Sequence, residues 1–344
     1  MRVYLTGAFE LMDRRVGYGN ASYYIYETMK KLGVDVHIKD VKDNSPYDAD
    51  IEISFDQPSR YRFMCPTSYK IGYTPWESTE FLPNWWRNLN AVDEVWTTSY
   101  WCENIFQQKL PNKPVFTYQH GIDHKFRPKK RVHDLSKPFT FLFIGEPYWR
   151  KDGDLVARTF AEFFGDDPDY RLIIKATNIN TIKIHHEQKN IFGSPEALYD
   201  NIITMTNMLT SDELIMLYEE ADVFLYPSWG EGFGFNPLQA MAMGIPTVCT
   251  EAWADYRDYI TVPLDSTLHL SPWQEIHPGF MLKPNHMRFR AAVMNAKDNY
   301  DEWSSFAFKQ SFKIHEEYDW EKVTRPAVDR LEKIYESRNL KRRA

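Results

Sequence analysis

The sequence predicts an α/β protein built from two doubly wound parallel-sheet domains. Its 344 residues are about twice the usual length of one domain. Along both halves, short β-branched or aromatic runs alternate with helical patterns, as in parallel strands joined by right-handed crossovers. Residues 127–138 are rich in proline and lysine and have no apolar period, which is typical of a linker. We therefore expect domains over residues 1–130 and 131–315, and a C-terminal helix over 316–344 that packs back on the first domain.

In the N-terminal half, the run from Val3 to Leu5 predicts the first buried strand. A loop containing Gly17-Tyr18-Gly19 follows. A helix is expected to begin near Asn20 and to stop at Gly33, because apolar side chains recur at helical spacing before that glycine. The further predicted strands of this half are 34–38, 51–55, 69–73, 95–98 and 115–118.

The C-terminal half starts a second series of strands and helices. A capping-box pattern, Thr210 with Glu213, marks the start of one helix, and the chain is largely helical from about Asn285 onward. The predicted strands are 139–144, 170–176, 203–206, 222–226 and 245–250. Doubly wound sheets bind ligands at the carboxyl ends of their strands, so we expect a cleft between the carboxyl ends of the two sets of strands.

Composition limits the function classes. The formal net charge is −7 and the pI is about 5.8, which argues against a sequence-wide nucleic-acid surface. A basic patch near the linker is interpreted as solvated charge; its members are Lys125, Arg127, Lys129, Lys130 and Arg131. Three scattered cysteines imply no disulfide framework and a reducing compartment. Without a signal peptide or a run of about 18 apolar residues, we expect a soluble cytoplasmic protein, with peripheral membrane contact left open.

The segment 226–250 carries the most functional information. A tight turn, Glu231-Gly232-Phe233-Gly234, leads into a short helix that Asn236-Pro237 is expected to open and Gly244 to end. Glycines let backbone amides approach an anion, and the helix N-terminus adds partial positive charge. A carboxylate at Glu231 beside such an anion site can orient hydroxyl groups. Phosphate and hydroxyls together suggest a nucleotide-sugar.

Four further motifs accompany this segment along the chain. They are Gly17-Tyr18-Gly19; Ile71 to Glu77 with Leu82-Pro83, Trp85-Trp86, Asp93 to Trp96 and Ser99; Gln119-His120-Gly121-Ile122-Asp123 with Phe126-Arg127-Pro128; and Phe143-Ile144-Gly145-Glu146 with Arg150-Lys151. Together the five motifs resemble the retaining glycosyltransferases of family 4, over about residues 1–335. The resemblance implies the GT-B architecture, in which two Rossmann-like doubly wound domains face a central cleft and the chain ends in helices.

The resemblance also implies a donor site formed mainly by the C-terminal domain. Lys151 is similar to the family's lysine that neutralises the donor diphosphate. Arg150 can supply the cation that the family places directly after the glycine, where this chain has Glu146. Glu231 resembles the glutamate that faces the donor sugar, so catalytic roles are expected for Glu231, Lys151 and Arg150. Donor contacts are expected at Gly17, Tyr18, Gly19, Gly145, Gly232, Phe233, Gly234, Phe235 and Gln239.

The second glutamate of the family's Glu-x7-Glu motif is Gln239 in this chain. Its carbonyl oxygen can accept hydrogen bonds from ribose hydroxyls, without the strength that a charge adds. Asn236 and Gln239 also have the spacing of a capping box. Ribose contact and helix capping therefore both stay open for Gln239.

On the acceptor side, the chain departs from the family. Many members place a histidine after the strand that corresponds to 69–73, near the sugar's C6 group. Tyr73, Trp76 and Glu77 occupy that neighbourhood here, and His120 lies in a domain-ending loop. These four residues are the expected acceptor contacts, with a core position for Trp76 as the alternative. A donor sugar without the usual hydroxymethyl group is also conceivable.

The resemblance implies same-face transfer from a nucleotide-sugar, with a UDP-sugar as the expected donor and a saccharide, lipid or protein glycan as acceptor. In this architecture helix dipoles and basic side chains replace a metal, so no essential metal or cofactor is expected. Three alternatives to this function stay open. The first is a transferase that acts on a hydroxymethylated DNA base, the second is a sugar-nucleotide epimerase on the same fold, and the third is a binding protein that has lost turnover.

Overall fold

The structure, a computed structural model, describes residues 1–7, 12–40, 45–146, 149–176 and 199–343. Its contacts divide the chain into two compact units. Unit one comprises residues 1–123, 274–279 and 317–344, and unit two comprises residues 124–273 and 280–316. Across the described ranges, no helix is both long enough and apolar enough to cross a membrane.

Unit one contains a parallel sheet of six strands. The strands are β1 (Arg2–Gly7), β2 (Asp35–Asp40), β3 (Ile51–Phe55), β4 (Tyr69–Tyr73), β5 (Glu94–Thr97) and β6 (Val115–Thr117). They lie in the order β2-β1-β3-β4-β5-β6. The helices are α1 (Gly17–Lys31), α2 (Trp86–Ala91), α3 (Tyr100–Lys109) and, from the end of the chain, α9 (Trp320–Arg343).

The core of unit one follows from its central strands. All five residues of β3 are buried, as expected for a parallel strand that is covered on both faces. Ile51 and Ile53 are at most 1 % exposed, and each such burial contributes about 2 kcal/mol. The last helix packs on the first, where the Trp320 ring stacks on Tyr24 with centroids 5.1 Å apart.

The first helix begins three residues earlier than predicted. Gly17-Tyr18-Gly19 forms the first turn of α1 and not a loop before it, with Val16 as the residue that precedes the helix. The Asn20 amide is the first to bond back, to Val16 O at 2.8 Å. The amides of Gly17, Tyr18 and Gly19 therefore belong to the helix N-terminus, where backbone donors lack partners within the helix.

Unit two repeats the architecture. Its parallel strands are β7 (Phe139–Ile144), β8 (Tyr170–Lys175), β9 (Ile202–Met205), β10 (Val223–Tyr226), β11 (Thr247–Thr250) and β12 (Val262–Leu264). They lie in the order β12-β11-β10-β7-β8-β9. The helices are α4 (Gly153–Phe163), α5 (Ser211–Glu219), α6 (Phe235–Ala242), α7 (His286–Asp298) and α8 (Tyr300–Glu317). The predicted fold class, two doubly wound parallel sheets, is confirmed.

Unit two also contains one local feature that the sequence predicted and one that it did not. The predicted capping box at the start of α5 is confirmed, because Thr210 and Glu213 bond to each other's backbone amides. An antiparallel pair, β13 (Ser266–Leu270) and β14 (Phe280–Pro284), was not predicted. Its exposed side chains, such as Leu268 and Phe280, obscure the alternation that usually identifies a strand.

Candidate active site

The two predicted catalytic segments follow neighbouring strands of unit two. β7 and β10 pair with each other, yet the chain continues from β7 to one side of the sheet and from β10 to the other. Such a reversal opens a crevice at the carboxyl ends of the two strands, where doubly wound domains bind ligands. Arg150 and Lys151 follow β7, and Glu231 follows β10. The topology therefore brings the three predicted catalytic residues to one edge of the sheet.

The Glu231 carboxylate lies at the centre of a polar cluster, and the residue is only 6 % exposed. Its Oε1 atom lies 2.5 Å from Arg150 Nη1 and 2.9 Å from Lys151 Nζ. Oε1 also accepts hydrogen bonds from the hydroxyls of Tyr226 at 2.8 Å and Ser228 at 3.0 Å. Among the described residues, every hydrogen bond and ion pair of this carboxylate ends on Oε1. The second oxygen, Oε2, thus keeps its acceptor capacity for a ligand.

Burial and the charged groups of the cluster determine the protonation states of Glu231 and Tyr226. Burial by itself raises the pKa of Glu231, but the Arg150 and Lys151 charges outweigh it and lower that pKa to about 2. Burial, with the adjacent carboxylate, raises the pKa of the Tyr226 phenol, so the hydroxyl stays protonated and can donate. At neutral pH the cluster combines one ionised carboxylate with two cations, which leaves an excess of positive charge.

Hydrogen bonds tie the Arg150 segment to the Glu231 segment. Arg150 Nη1 donates to Gly230 O at 2.6 Å, and the Trp229 amide donates to Arg150 O at 2.6 Å. The Trp229 indole N–H donates to Asp152 Oδ2 at 2.9 Å. Asp152 has a φ of +53°, a left-handed conformation that residues other than glycine rarely adopt and that functional loops often contain. The two segments therefore hold each other in place.

Gly145 makes room for the predicted catalytic lysine. Its φ is +149°, and a Cβ there would lie 2.6 Å from Lys151 Cδ. The aliphatic stem of Lys151 thus runs against the backbone at the end of β7. Only glycine leaves this space, and the role of Gly145 as a donor contact, which the resemblance implies, stays a prediction.

The start of α6 differs from the prediction. Gly234, with a φ of +84°, precedes the helix, and Phe235 is its first residue. Trp253 and Tyr256 fill the space that a Cβ at Gly234 would need, and the Tyr256 hydroxyl donates to Gly234 O at 2.7 Å. Packing against residues that follow β11 thus sets the helix start, and Asn236 lies inside the first turn.

The predicted capping box between Asn236 and Gln239 is wrong for the same reason. Asn236 instead donates its side-chain amide to Ile144 O at 2.9 Å, at the end of β7. Gln239 is 7 % exposed, and its Oε1 accepts a hydrogen bond from the Tyr218 hydroxyl at 3.3 Å. Ribose contact by Gln239 stays a prediction.

The other predicted donor residues after Glu231 form a compact turn. Gly232 and Phe233 are buried, and the Phe233 ring meets the Phe235 ring edge to face, with centroids 5.4 Å apart. The remaining three predicted donor residues, Gly17, Tyr18 and Gly19, lie in unit one.

Two of the four predicted acceptor residues lie in the core of unit one. Tyr73 is fully buried and donates its hydroxyl to Tyr118 O at 2.6 Å. Trp76 is 3 % exposed, donates its indole N–H to Glu80 O at 2.9 Å and packs on Trp85. These contacts satisfy the polar atoms of both side chains, so we do not propose either as an acceptor contact.

The other two predicted acceptor residues, Glu77 and His120, have titratable side chains. Glu77 is half-buried, and its Oε2 lies 3.8 Å from His277 Nδ1. His120 is 4 % exposed, and burial lowers its pKa to about 3. The imidazole is therefore neutral at physiological pH and lies among the rings of Phe55, Tyr73 and Trp320.

Sequence reasoning missed the hydroxyls that hold Glu231. Tyr226 is the last residue of β10, and Ser228 lies two residues further. A polar side chain at the carboxyl end of a predicted strand was the available signal, since that is where sites form. Lys175, at the end of β8, is a further example. It is 5 % exposed, and burial lowers its pKa.

No metal site emerges from the described part of the chain. There, no group of three or more histidine, cysteine, aspartate or glutamate side chains is placed to hold an ion. Metal-independent chemistry stays a prediction, because it rests on the resemblance and on the cations beside Glu231.

The chain is similar in sequence to known glycosyltransferases. Residues 138–266 match the family model described as glycosyl transferases group 1, a range that contains Arg150, Lys151 and Glu231. A candidate glycosyltransferase of Sulfolobus islandicus filamentous virus is 22% identical over 206 residues, which cover 57% of this chain and 53% of the relative. The chain has the GT-B fold and is similar to the group 1 glycosyltransferases over residues 138–266. The finer assignment to family 4 stays a prediction.

Solved structures support the GT-B fold of this chain. Sucrose-phosphate synthase from Thermosynechococcus elongatus matches with a TM-score of 0.66 at 12% identity, covering 98% of this chain and 100% of that one. An Anabaena protein solved with UDP and glucose matches with a TM-score of 0.66 at 11% identity, covering 97% and 100%. At sequence identities this low, the structural similarity shows the fold alone.

Curated relatives match only part of this chain. The chain spans about half the length of the viral relative described above. A D-inositol 3-phosphate glycosyltransferase of Pseudarthrobacter chlorophenolicus is 30% identical over 127 residues, which cover 36% of this chain and 30% of that enzyme. The overlap supports a shared domain, and the activity of the whole protein is a separate question.

Proposed function

We propose that this chain is a retaining glycosyltransferase that moves a sugar from a nucleotide-sugar, with a UDP-sugar as the first candidate, to an acceptor hydroxyl. One observation carries the proposal. A buried, ionised carboxylate at the switch point of unit two keeps all its contacts with described residues on Oε1, while two cations lie within 3 Å of that atom. A carboxylate with a spare acceptor oxygen beside excess positive charge suits a ligand that has both hydroxyls and phosphates.

In this proposal Lys151 and Arg150 bind the donor diphosphate. Charge develops on the diphosphate as the bond from the sugar carbon to the phosphate oxygen breaks, and fixed cations stabilise that charge. Both cations pair with Glu231 Oε1 in the present structure. Tyr226 and Ser228 would keep the carboxylate in place when the cations turn towards phosphate, because their hydroxyl bonds to Oε1 do not involve Arg150 or Lys151.

Glu231 would orient the donor sugar through Oε2. A sugar hydroxyl that donates to this oxygen would fix the ring relative to the diphosphate, which is a positioning role with large rate effects. The acceptor oxygen would form the new bond on the face that the diphosphate leaves, and its proton would pass to a phosphate oxygen of the leaving group. No covalent bond to the protein is required.

The turn after Glu231 would complete the donor site. Backbone amides from Gly232 to Phe235 lead into the N-terminus of α6, a favourable position for phosphate oxygens. Gln239, one turn further along the same helix, would accept from the ribose hydroxyls. Its bond to the Tyr218 hydroxyl holds the amide plane, so the orientation is set before a ligand arrives.

The acceptor is expected to be a saccharide, lipid or protein glycan, with Glu77 and His120 as the remaining candidate contacts in unit one. We do not propose the DNA base or the epimerase alternative, because no described contact favours them. The net charge of −7 also argues against general binding to a nucleic acid.

The test uses the full chain and a panel of UDP-, ADP-, GDP- and TDP-sugars, with and without acceptor saccharides. Turnover that needs both partners, with NMR showing the donor's anomeric configuration kept in the product, is the expected result. Conversion of a donor in the absence of any acceptor would instead indicate an epimerase. Binding of a donor without turnover against any acceptor class would contradict the proposed activity.

A further inference from the structure

A basic cavity of about 180 Å³ lies at the other edge of the sheet in unit two. Thr140 and Arg171, which line it, are the second residues of β7 and β8. The cavity therefore lies at the amino ends of the parallel strands, whereas Glu231 lies beyond their carboxyl ends. A six-residue strand separates the two edges by about 20 Å. The cavity is thus distinct from the candidate active site.

Arg131 is the central side chain of this cavity. The residue is 7 % exposed, and its Nη1 donates to Glu219 O at 3.1 Å. Its Nε and Nη2 atoms are buried and have no hydrogen-bond partner among the described residues. A guanidinium has five N–H donors, and unsatisfied buried donors are rare and costly in folded proteins. Two nitrogens of this buried, cavity-lining cation therefore have no acceptor among the described residues.

The acidic side chains on the cavity wall already have partners. Glu219 lies 3.4 Å from Lys129 Nζ, and Glu220 lies 3.2 Å from Arg171 Nη2. Asp222 accepts from the Thr140 amide at 2.8 Å and lies 3.3 Å from His133 Nδ1; Asp134 accepts from the amide and hydroxyl of Ser136. None of them forms an ion pair with Arg131 among the described contacts, but burial lowers the pKa of Arg131 and the charges of Glu219 and Asp222 partly offset that effect.

Two lysines on the wall add positive charge. Lys130 and Lys137 line the cavity and are exposed. Neither ammonium group forms an ion pair with a described residue. With these two lysines the cavity wall carries five basic side chains against four carboxylates; the basic residues are Lys129, Lys130, Arg131, Lys137 and Arg171, and the acidic ones are Asp134, Glu219, Glu220 and Asp222. The sequence pattern alone had suggested solvated linker charge for Lys130 and Arg131.

We propose that this cavity binds a phosphate-sized oxyanion, either free phosphate or the phosphate group of a small metabolite. A guanidinium edge can bind two oxygens of such an anion at once, and the buried Nε and Nη2 of Arg131 form such an edge. The cavity volume is below the roughly 300 Å³ at which pockets for drug-sized ligands begin, which favours a small ligand. The proposed transferase activity is not needed for this site.

The experiment is isothermal titration calorimetry of the full chain at low ionic strength, with inorganic phosphate in one arm and glucose 6-phosphate in the other. Replacing both wall lysines, Lys130→Ala with Lys137→Ala, should weaken binding at least about 10-fold, since each contributes a charge-assisted contact. Arg131→Lys should weaken it similarly, because the bidentate edge is lost. The exposed lysines keep the test valid should the buried Arg131 variant fail to fold.

Two matched variants separate this cavity from other cations. Lys125→Ala removes a basic residue of the same chain segment outside the cavity and should bind phosphate like the wild type, whereas Lys151→Ala reports any phosphate that is held at the candidate active site. Tighter binding of glucose 6-phosphate would identify a phosphorylated metabolite as the source, and equal affinities would identify the phosphate group alone. No binding, loss only in Lys151→Ala, or equal weakening in Lys125→Ala would overturn the proposal.

Discussion

Two buried glutamates, one in each unit, differ in how they use their oxygens. In unit one, Glu94 is fully buried, and Arg330 bonds both oxygens, at 3.0 Å to Oε1 and 2.6 Å to Oε2. Trp96 adds a bond to Oε1 and Tyr69 a bond to Oε2. In unit two, all the contacts of Glu231 with described residues converge on Oε1. A saturated carboxylate stabilises a fold, whereas a one-sided carboxylate can still bind a ligand.

The position of each glutamate in its sheet agrees with this difference. Glu94 is the first residue of β5, at the amino end of the strands, and joins the sheet to α9 through Arg330. Glu231 follows β10 at the carboxyl end, beside the switch point. Ligand sites of doubly wound domains form at the carboxyl end. We therefore expect changes at Glu94 to affect stability and changes at Glu231 to affect turnover.

The largest expected effect comes from the matched changes Glu231→Gln and Glu94→Gln. Glu231→Gln keeps the shape but removes the charge, and kcat/KM should fall about 10³-fold while the protein stays folded. Glu94→Gln should lower the free energy of unfolding by about 3 kcal/mol, because a buried ion pair loses one partner, with kcat/KM of the folded fraction unchanged. Steady-state kinetics and urea denaturation of both variants give the comparison. Equal losses of activity in the two would remove the distinction.

The next effect in size is that of Lys151→Ala. Removing the cation from the leaving diphosphate should reduce kcat/KM by about 10²-fold, equivalent to about 3 kcal/mol. Lys125→Ala, a change to an exposed lysine of the same unit, is the control and should retain wild-type kinetics. Turnover of Lys151→Ala near that of the wild type would take this residue out of the mechanism.

Acid sensitivity gives a second test of the Glu231 cluster. The folded-state pKa of Glu231 is about 2 against an ordinary value of 4.5. The stabilising contribution is therefore complete above pH 4.5 and is lost as the pH falls towards 2. The full difference is about 3 kcal/mol, and about 2 kcal/mol of it should be lost by pH 3. Urea denaturation from pH 6 to pH 3 should show a smaller loss for Glu231→Gln than for the wild type; parallel curves would contradict the low pKa.

The smallest effect concerns two buried tyrosines. Tyr226→Phe removes a hydroxyl that bonds Glu231 Oε1 and should lower kcat/KM about 10-fold, since bonds to charged groups contribute about 1.5 kcal/mol or more. Tyr73→Phe removes a hydroxyl that bonds a backbone carbonyl in unit one and should lower stability by about 1 kcal/mol without changing kcat/KM. Kinetics and thermal unfolding measure both. A loss of turnover in Tyr73→Phe would restore the predicted acceptor role of Tyr73.

The sequence was sufficient where local pattern determines structure. The fold class follows from the alternation of strands and helices, and the α5 capping box follows from the spacing of Thr210 and Glu213. The grouping of Arg150, Lys151 and Glu231 was expected from the family resemblance. The start of α6 was not predictable in this way, because Trp253 and Tyr256, about twenty residues further along, force Gly234 into its positive φ. Contacts that are distant in sequence leave no local signal.

The burial of charged side chains could not be predicted from the sequence either. Arg131 lies in a proline- and lysine-rich segment whose composition is typical of an exposed linker, yet it is 7 % exposed. The sequence likewise does not show that the Glu94 and Glu231 carboxylates are buried. Only the positions of Arg330, Tyr226 and the other partners show which oxygen is engaged, and these depend on the assembled sheets.

The most direct test of the central claim is calorimetric titration of UDP, ADP and GDP into the wild type, Lys151→Ala and Lys125→Ala. If Lys151 and Arg150 beside Glu231 hold the donor diphosphate, at least one nucleoside diphosphate binds the wild type with one-to-one stoichiometry. Its affinity should fall about 10-fold or more in Lys151→Ala and stay unchanged in Lys125→Ala. Equal affinity in all three proteins, or no binding of any nucleoside diphosphate to the wild type, would contradict the account.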